Sequence, residues 1–273
     1  ARIEAVGTAV SPIVFTSAKV PADRVPGDFG GVVLLGRAPI NVGSSNIEGM
    51  EASALSSYGG SDAAHDCGTL RYVRIEYAGS VFGTDNELNG LTIGGCGTGT
   101  DMSFIQVHKG LDDGIEFFGG TAGIRNAVVT QAGDDGFDWD EGWAGNAQFI
   151  VVQQAADDGD KGIEADNLED NNDATPRSMP TIWNMTLIGS GDAEGGQAGI
   201  RLRRGTAGSL NNVIIYGFPK EPFRIEGTSS LTERDAGRLE MNHVMVFNNG
   251  ELGEDDAAWF PSQPGAVSDQ DPM

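Results

Sequence analysis

The sequence predicts an all-β solenoid, a parallel β-helix, on three observations. A short phrase recurs at the head of a strand-like run: NGLTIGG (89–95), DGIEFFG (113–119), DGFDWDE (135–141), KGIEADN (161–167), AGIRLRR (198–204) and EPFRIEG (221–227). Successive phrases start 24, 22, 26, 37 and 23 residues apart, a period that suits one coil of a stacked repeat. Amphipathic helical spacing is nearly absent, which makes βαβ folds poor rivals.

The elements follow in chain order. The chain opens in strand-like text, ARIEAVGTAVSPIVFTS, then GGVVLLGRAPIN. Residues 40–68 are a long excursion of mostly small residues, read as a loop insertion. From there each coil carries a β-rich run ahead of its recurring phrase: YVRIEY, SFIQVH, NAVVTQ, QFIVVQ, WNMTLIG and NNVIIYG, with NHVMVF after the last. Gly, Asn and Asp punctuate the turns between them. The longest interval holds DNLEDNNDATPRSMP (166–180), polar and carrying Pro176 and Pro180, which is read as a second loop insertion, either the rim of a binding groove or a merely tolerated excursion. Residues 1–273 thus read as one β-helix domain. Neither an initiator Met nor a signal peptide stands at the start, and PGAVSDQDPM stops without a closing element. The expectation is that a leader and a first coil lie upstream, and that open coils allow end-to-end self-association.

Alternation within the recurring strand fixes which side chains point inward. Leu91 and Ile93, Ile115 and Phe117, Phe137 and Trp139, Ile163 and Ala165, Ile200 and Leu202, Phe223 and Ile225 form the inward set. The outward residues then fall in two columns. One runs Thr92, Glu116, Asp138, Glu164, Arg201, Arg224, and the other Gly94, Phe118, Asp140, Asp166, Arg203, Glu226. A slip of one residue would drive every acid into the core, so the register is sharply specified. Among the aromatics, Phe118 and Trp143 are expected outside as platforms for stacking a ligand, and Trp139 and Phe117 inside.

With 40 acids against 17 bases, the formal charge is −23. Such a chain repels nucleic acid and anionic membrane. No apolar run is long enough to span a bilayer. Cys67 and Cys96 each lie a few residues ahead of an apolar strand, so stacking of those strands would bring the thiols together as a disulfide. Two buried free thiols are the alternative. A disulfide would point to an oxidising compartment, outside the cell or at its surface.

The phrases GTAVSPIVFTS, GGVVLLGRAPIN, LRYVRIEYAG and DDGIEFFGG resemble secreted or lipid-anchored bacterial proteins of the pectin-lyase-like superfamily, whose fold is a right-handed parallel β-helix. The resemblance covers nearly the whole chain. It implies export, but the superfamily spans lyases, hydrolases, epimerases and adhesins, so it implies no single activity.

The acids carry the functional question. Carboxylates stacked about 4.8 Å apart along one column repel one another by roughly 1 kcal/mol per pair in water and more where solvent is thin. Protonation, arginine or a bound cation can relieve this, and Arg201 and Arg203 continue the two columns. The remaining oxygens suit a hard cation such as Ca²⁺. The candidate ligands are Asp112, Asp113, Glu116, Asp134, Asp135, Asp138, Asp140, Asp158, Glu164 and Asp166. No EF-hand loop is present, and DWDEGWAGNAQF lacks its Gly and Glu. Zinc, serine-hydrolase and P-loop signatures are likewise absent from the sequence.

Three readings follow. The first is a cell-surface or extracellular scaffold, adhesin-like and calcium-stabilised, with a glycan or protein partner. The second is an acidic face without a ligand. The third is implied by the resemblance: polyuronate lyases of the superfamily hold Ca²⁺ on acids and use Arg or Lys as base. Here Asp113, Asp135 and Glu116 or Asp138 would hold the metal, and Arg201 or Arg203 would take the proton. The Gly-His-Gly and Arg-Ile-Lys steps of the related hydrolases are missing, and an anionic glycan would face a −23 chain. Enzyme action therefore stays open at this level.

Overall fold

A computed structural model describes residues 2–47, 50–83, 86–191 and 197–269. Two parallel sheets wind together. The short sheet has seven strands, stacked from Val32–Leu35 through Leu91–Gly94, Ile115–Phe118, Phe137–Asp140, Lys161–Ala165 and Ala198–Leu202 to Phe223–Ile225. The long sheet runs from Ile3–Val6 through Gly68–Glu76, Asp101–His108, Ile124–Thr130, Asn146–Gln153, Thr181–Ile188 and Gly208–Tyr216 to Leu239–Phe247, with Val267–Ser268 at its edge. This is the all-β, parallel β-helix that the period predicted, right-handed as the resemblance implied, with one strand of each sheet per coil.

The predicted register holds across the short sheet. Glu116 pairs with Thr92 and with Asp138, Asp138 with Glu164, Glu164 with Arg201, and Arg201 with Arg224. The inward residues Leu91, Ile93, Ile115, Phe117, Phe137, Trp139, Ile163, Ala165, Ile200, Leu202 and Phe223 are wholly buried. Each large apolar side chain so placed contributes about 1.5–3 kcal/mol relative to exposure.

The long-sheet strands bend in the middle. Tyr72, Phe104, Asn126, Phe149, Asn184, Asn212 and His243 occupy one register position and all sit in the left-handed region, with φ between 51° and 59°. That conformation costs about 1–2 kcal/mol for an L-residue and turns the chain through a corner. Stacking offsets some of the cost: the Tyr72 and Phe104 rings lie parallel, 4.5 Å apart. The corner also changes the inward spacing. Buried residues step by three across it and by two after it, as in Met102, Ile105, Val107 and in Met241, Val244, Val246.

Cys67 and Cys96 form a disulfide in the core, with Cα atoms 5.8 Å apart. It joins the entry to Gly68–Glu76 to the turn after Leu91–Gly94. Of the two insertions, residues 40–68 contain a small antiparallel pair, Ser45–Asn46 with Ser57–Tyr58. Residues 48 and 49 lie outside the described residues. The pair holds Tyr58 against the outer side of the short sheet, where its ring meets Phe118 at 6.1 Å. The second insertion is fixed by buried Asn167, whose amide donates to the Asn172 and Ala174 carbonyls.

The open C-terminal coil expected from the sequence is corrected here. A helix, Glu254–Trp259, lies on the last short-sheet strand, and Asp256 accepts the backbone N–H of Ile225 that a further strand would otherwise take. Phe260 packs on Phe223 at 5.1 Å and is buried. A second chain stacking on this edge would have to displace the helix.

Candidate functional site

The repeated Asp-Asp-Gly phrase has a structural explanation first. Asp113 accepts the backbone N–H of Asp135 at 2.8 Å, and Asp135 accepts that of Lys161 at 2.6 Å. Each carboxylate thus spends one oxygen on the equivalent residue of the next coil. The glycine that follows is required by close approach. A Cβ on Gly114 would come within 2.3 Å of Val129 Cγ1, and one on Gly136 within 2.2 Å of Val152 Cγ1.

The remaining oxygens converge. Acid oxygens of Asp113, Glu116 and Asp138 lie within 4.8 Å of one another, as do those of Asp135, Asp138 and Glu164. Asp112, Asp113 and Asp134, and Asp134, Asp135 and Asp160, make two further groups toward the turns. Asp138 is the hinge of the arrangement, shared by the two inner groups. Asp113 and Asp135 are almost fully buried.

The upper part of this cluster is neutralised from within the chain. Lys161 Nζ sits 2.8 Å from Glu164, 2.5 Å from Asp160 and 3.6 Å from Asp135. Arg203 reaches Glu164 on its other side and Asp166 at 2.8 Å, while Arg204 takes the second Asp166 oxygen at 2.7 Å. Arg201 pairs with Glu221 and Glu226 instead. Both arginines proposed as a base are therefore held in ion pairs.

The lower part is served differently. Asn89 donates its amide to Glu116, leaving its own Oδ1 buried and without a hydrogen-bond partner. The Oγ1 of fully buried Thr92, in register with Glu116, also has none, and neither has Asp138 Oδ1. Unpartnered buried oxygens normally cost about 1–3 kcal/mol each. Burial, and then the charge of Glu116, pushes the Asp138 carboxyl well above the usual carboxylate range. Burial and Asp135 do the same to Asp113. At Asp135, burial raises the carboxyl well above that range although Lys161 pulls the other way. Lys161 loses some basicity to burial but is raised more strongly by Asp135 and Glu164.

Of the ten acids expected as ligands, the geometry gathers Asp112, Asp113, Glu116, Asp134, Asp135, Asp138 and Glu164. Three stand apart from those groups. Asp140 accepts the N–H of Glu141 and is pushed up to about 8 by burial; Asp166 belongs to the two arginines; Asp158 is exposed. Asp160, Asn89 and Lys161 went unassigned in the sequence. The aligned phrases hold the signal, because the position before Gly reads Asn89, Asp113, Asp135, Lys161 in successive coils.

The aromatic expectations are corrected. Trp143 is fully buried, stacked on Phe117 at 4.2 Å with its Nε1 donating to the Ala122 carbonyl. It lies in a turn, so strand alternation did not govern it, and the wide core beside Phe137 and Trp139 takes it in. Phe118 is outward but half-covered by Tyr58. Neither is an open platform.

No curated protein and no solved structure shows significant similarity to this chain. The family model of the pectate-lyase-like beta helix domain matches residues 1–259, a span that contains the short sheet, the long sheet except its edge strand Val267–Ser268, the disulfide and the whole acidic cluster. On that match, the chain belongs to the pectate-lyase-like beta helix family.

Proposed function

We propose that this protein is an extracellular or cell-surface β-helix binding scaffold whose acidic coils are stabilised by calcium. One observation carries the reading: Asp138, whose Oδ1 is buried and without a hydrogen-bond partner, brings a carboxylate oxygen within 4.8 Å of acid oxygens of Asp113 and Glu116. Asn89 Oδ1 and Thr92 Oγ1 add two neutral oxygens of the same unpartnered kind. An all-oxygen donor set of mixed charge is the chemistry of a hard cation that takes six to eight oxygens, and Ca²⁺ fits it better than a softer metal. The disulfide and the family domain support an oxidising location.

The cation would sit among Asn89, Thr92, Asp113, Glu116 and Asp138, relieving repulsion that Lys161 and Arg203 do not reach. Elemental analysis of the purified protein and calorimetric calcium titration after EGTA treatment test this. Bound calcium and a higher melting temperature on its return are expected; absence of both would remove the proposal. The polyuronate-lyase reading fits the family but asks Arg201 or Arg203 to leave its carboxylates. Release of unsaturated uronides from a polyuronate panel, followed by ultraviolet absorbance, is its separate test.

A further inference from the structure

The last five long strands of the long sheet differ at their outer surface from the rest of this acidic chain, whereas the earlier strands Gly68–Glu76 and Asp101–His108 carry Arg71, Arg74, Glu76 and Asp101. Along the strands Ile124–Thr130, Asn146–Gln153, Thr181–Ile188, Gly208–Tyr216 and Leu239–Phe247, the formal charges are Arg125 and Glu240 alone. Charged residues make up 21% of the whole sequence, so this surface is depleted of them.

Aromatic rings and amides stand in their place. Phe149, Trp183, Tyr216 and Phe247 are 50%, 43%, 42% and 53% exposed, so each leaves a broad ring face to solvent. Tyr216 and Phe247 lie nearly parallel in neighbouring coils, 6.2 Å apart. Amides form cross-strand steps: Gln148 donates to Asn184 at 3.2 Å, and Asn242 to Asn211 at 3.2 Å. At the lower end of this surface lies a cleft of about 320 Å³ bordered by Thr100, Asp101, Thr121, Arg125, Asn146 and Gln148, with Asp101 held in an ion pair by Arg71 of the neighbouring strand. Gln148 is in register with Trp183, so the indole stands one strand above the cleft.

We propose that this face binds a neutral glycan, anchored in the cleft at Gln148 and stacked on Trp183. Sugar rings present apolar C–H faces to aromatic side chains and hydroxyls to amides and threonines, and a neutral sugar needs no charged partner. An anionic glycan would meet a −23 chain with Arg125 as the one base on these strands. A second copy of the chain is a poorer occupant. Strands about 4.8 Å apart make the surface about 20 Å tall and roughly 500 Å² in area, bent at its corner, against about 800 Å² per partner in a stable interface. The site lies on the other sheet from the acidic cluster and does not depend on calcium there.

The test is calorimetry, with tryptophan fluorescence, of the full chain in calcium against cello-, xylo-, manno- and laminari-hexaose and an oligogalacturonate. One of the neutral hexasaccharides is expected to bind. Trp183→Ala and Gln148→Ala should each weaken it about tenfold, the scale of one lost stacking or amide contact. Trp183→Phe should retain most of the affinity. No binding by any neutral member, equal binding by Trp183→Ala, or preference for the oligogalacturonate through Trp183 would each overturn the proposal. So would a dimer in sedimentation that Trp183→Ala dissociates while no sugar binds, since that would assign the face to a protein partner.

Discussion

The two sheets share a period and a core but expose opposite chemistries. The short sheet turns a stack of acids outward, with Asp138 at its centre and Lys161 and Arg203 closing its upper end. The later strands of the long sheet turn amides and aromatics outward with scarcely a charge. On the acidic side the chain carries electrostatic strain that it only half relieves with its own cations. On the neutral side nothing repels, and the exposed rings gain nothing from water. The difference teaches that the charge of −23 is not a uniform coat. Acids are concentrated along the short sheet and are sparse on the last five long strands of the long sheet.

The sharpest way to break this contrast is Lys161→Met. It removes the ammonium shared by Asp135, Asp160 and Glu164, and leaving buried carboxylates uncompensated should cost about 3–5 kcal/mol. Denaturant melts in EGTA would show it, and calcium should recover part of the loss. An unchanged midpoint would mean that the acids are relieved in some other way.

Calcium itself is the second test. At a free concentration about a hundredfold above its dissociation constant, bound calcium should stabilise the wild-type fold by about 2.7 kcal/mol. Asp138→Asn should shrink that gain, while the Trp183→Ala response matches wild type. If both variants respond alike, the acidic cluster is not where the ion acts.

The pH response follows from the raised carboxyls. Asp113, Asp135, Asp138 and Asp140 are pushed up by burial, Asp140 to about 8, so the folded state keeps protons that the unfolded chain releases. Stability of the calcium-free protein should therefore fall as pH rises above the ordinary carboxylate range toward these raised values. A loss on the order of 3–4 kcal/mol from Asp140 alone, with the other three adding to it, is expected between about pH 5 and about pH 8 in thermal melts in EGTA. Calcium should flatten the slope, because it favours the deprotonated form. A rise in stability over the same range would contradict the burial of these groups.

The smallest effect belongs to the neutral face. Trp183→Ala removes an exposed side chain and should change stability by no more than about 0.5 kcal/mol. A large loss would mean that the ring supports the fold rather than a ligand.

Much of the architecture was legible in the text. The recurring phrase gave the coil, and period-2 alternation placed Glu116, Asp138, Glu164 and Arg201 in one column, since in-register stacking follows from matching inward residues. Stacking brought Cys67 and Cys96 together but left a disulfide and two free thiols both open, and the structure shows the disulfide. The corner of the long sheet was harder to see. Its left-handed residues include Tyr72, Phe104 and Phe149, which carry no glycine signal, although the three-residue step between inward positions marks the bend. The burial of Trp143 and the cover of Tyr58 over Phe118 depend on turns and an insertion, where alternation has no force.

The amino-acid order alone settled the winding, the face each strand residue takes and the gathering of acids, because a repeat with one hydrophobic side can stack in one register. Folding in three dimensions decided how deep those carboxylates lie, which of them Lys161 and Arg203 reach, and which oxygens stay unpartnered. Those outcomes depend on distances between coils and on loops crossing from elsewhere in the chain, and such distances are not written in any local run of residues.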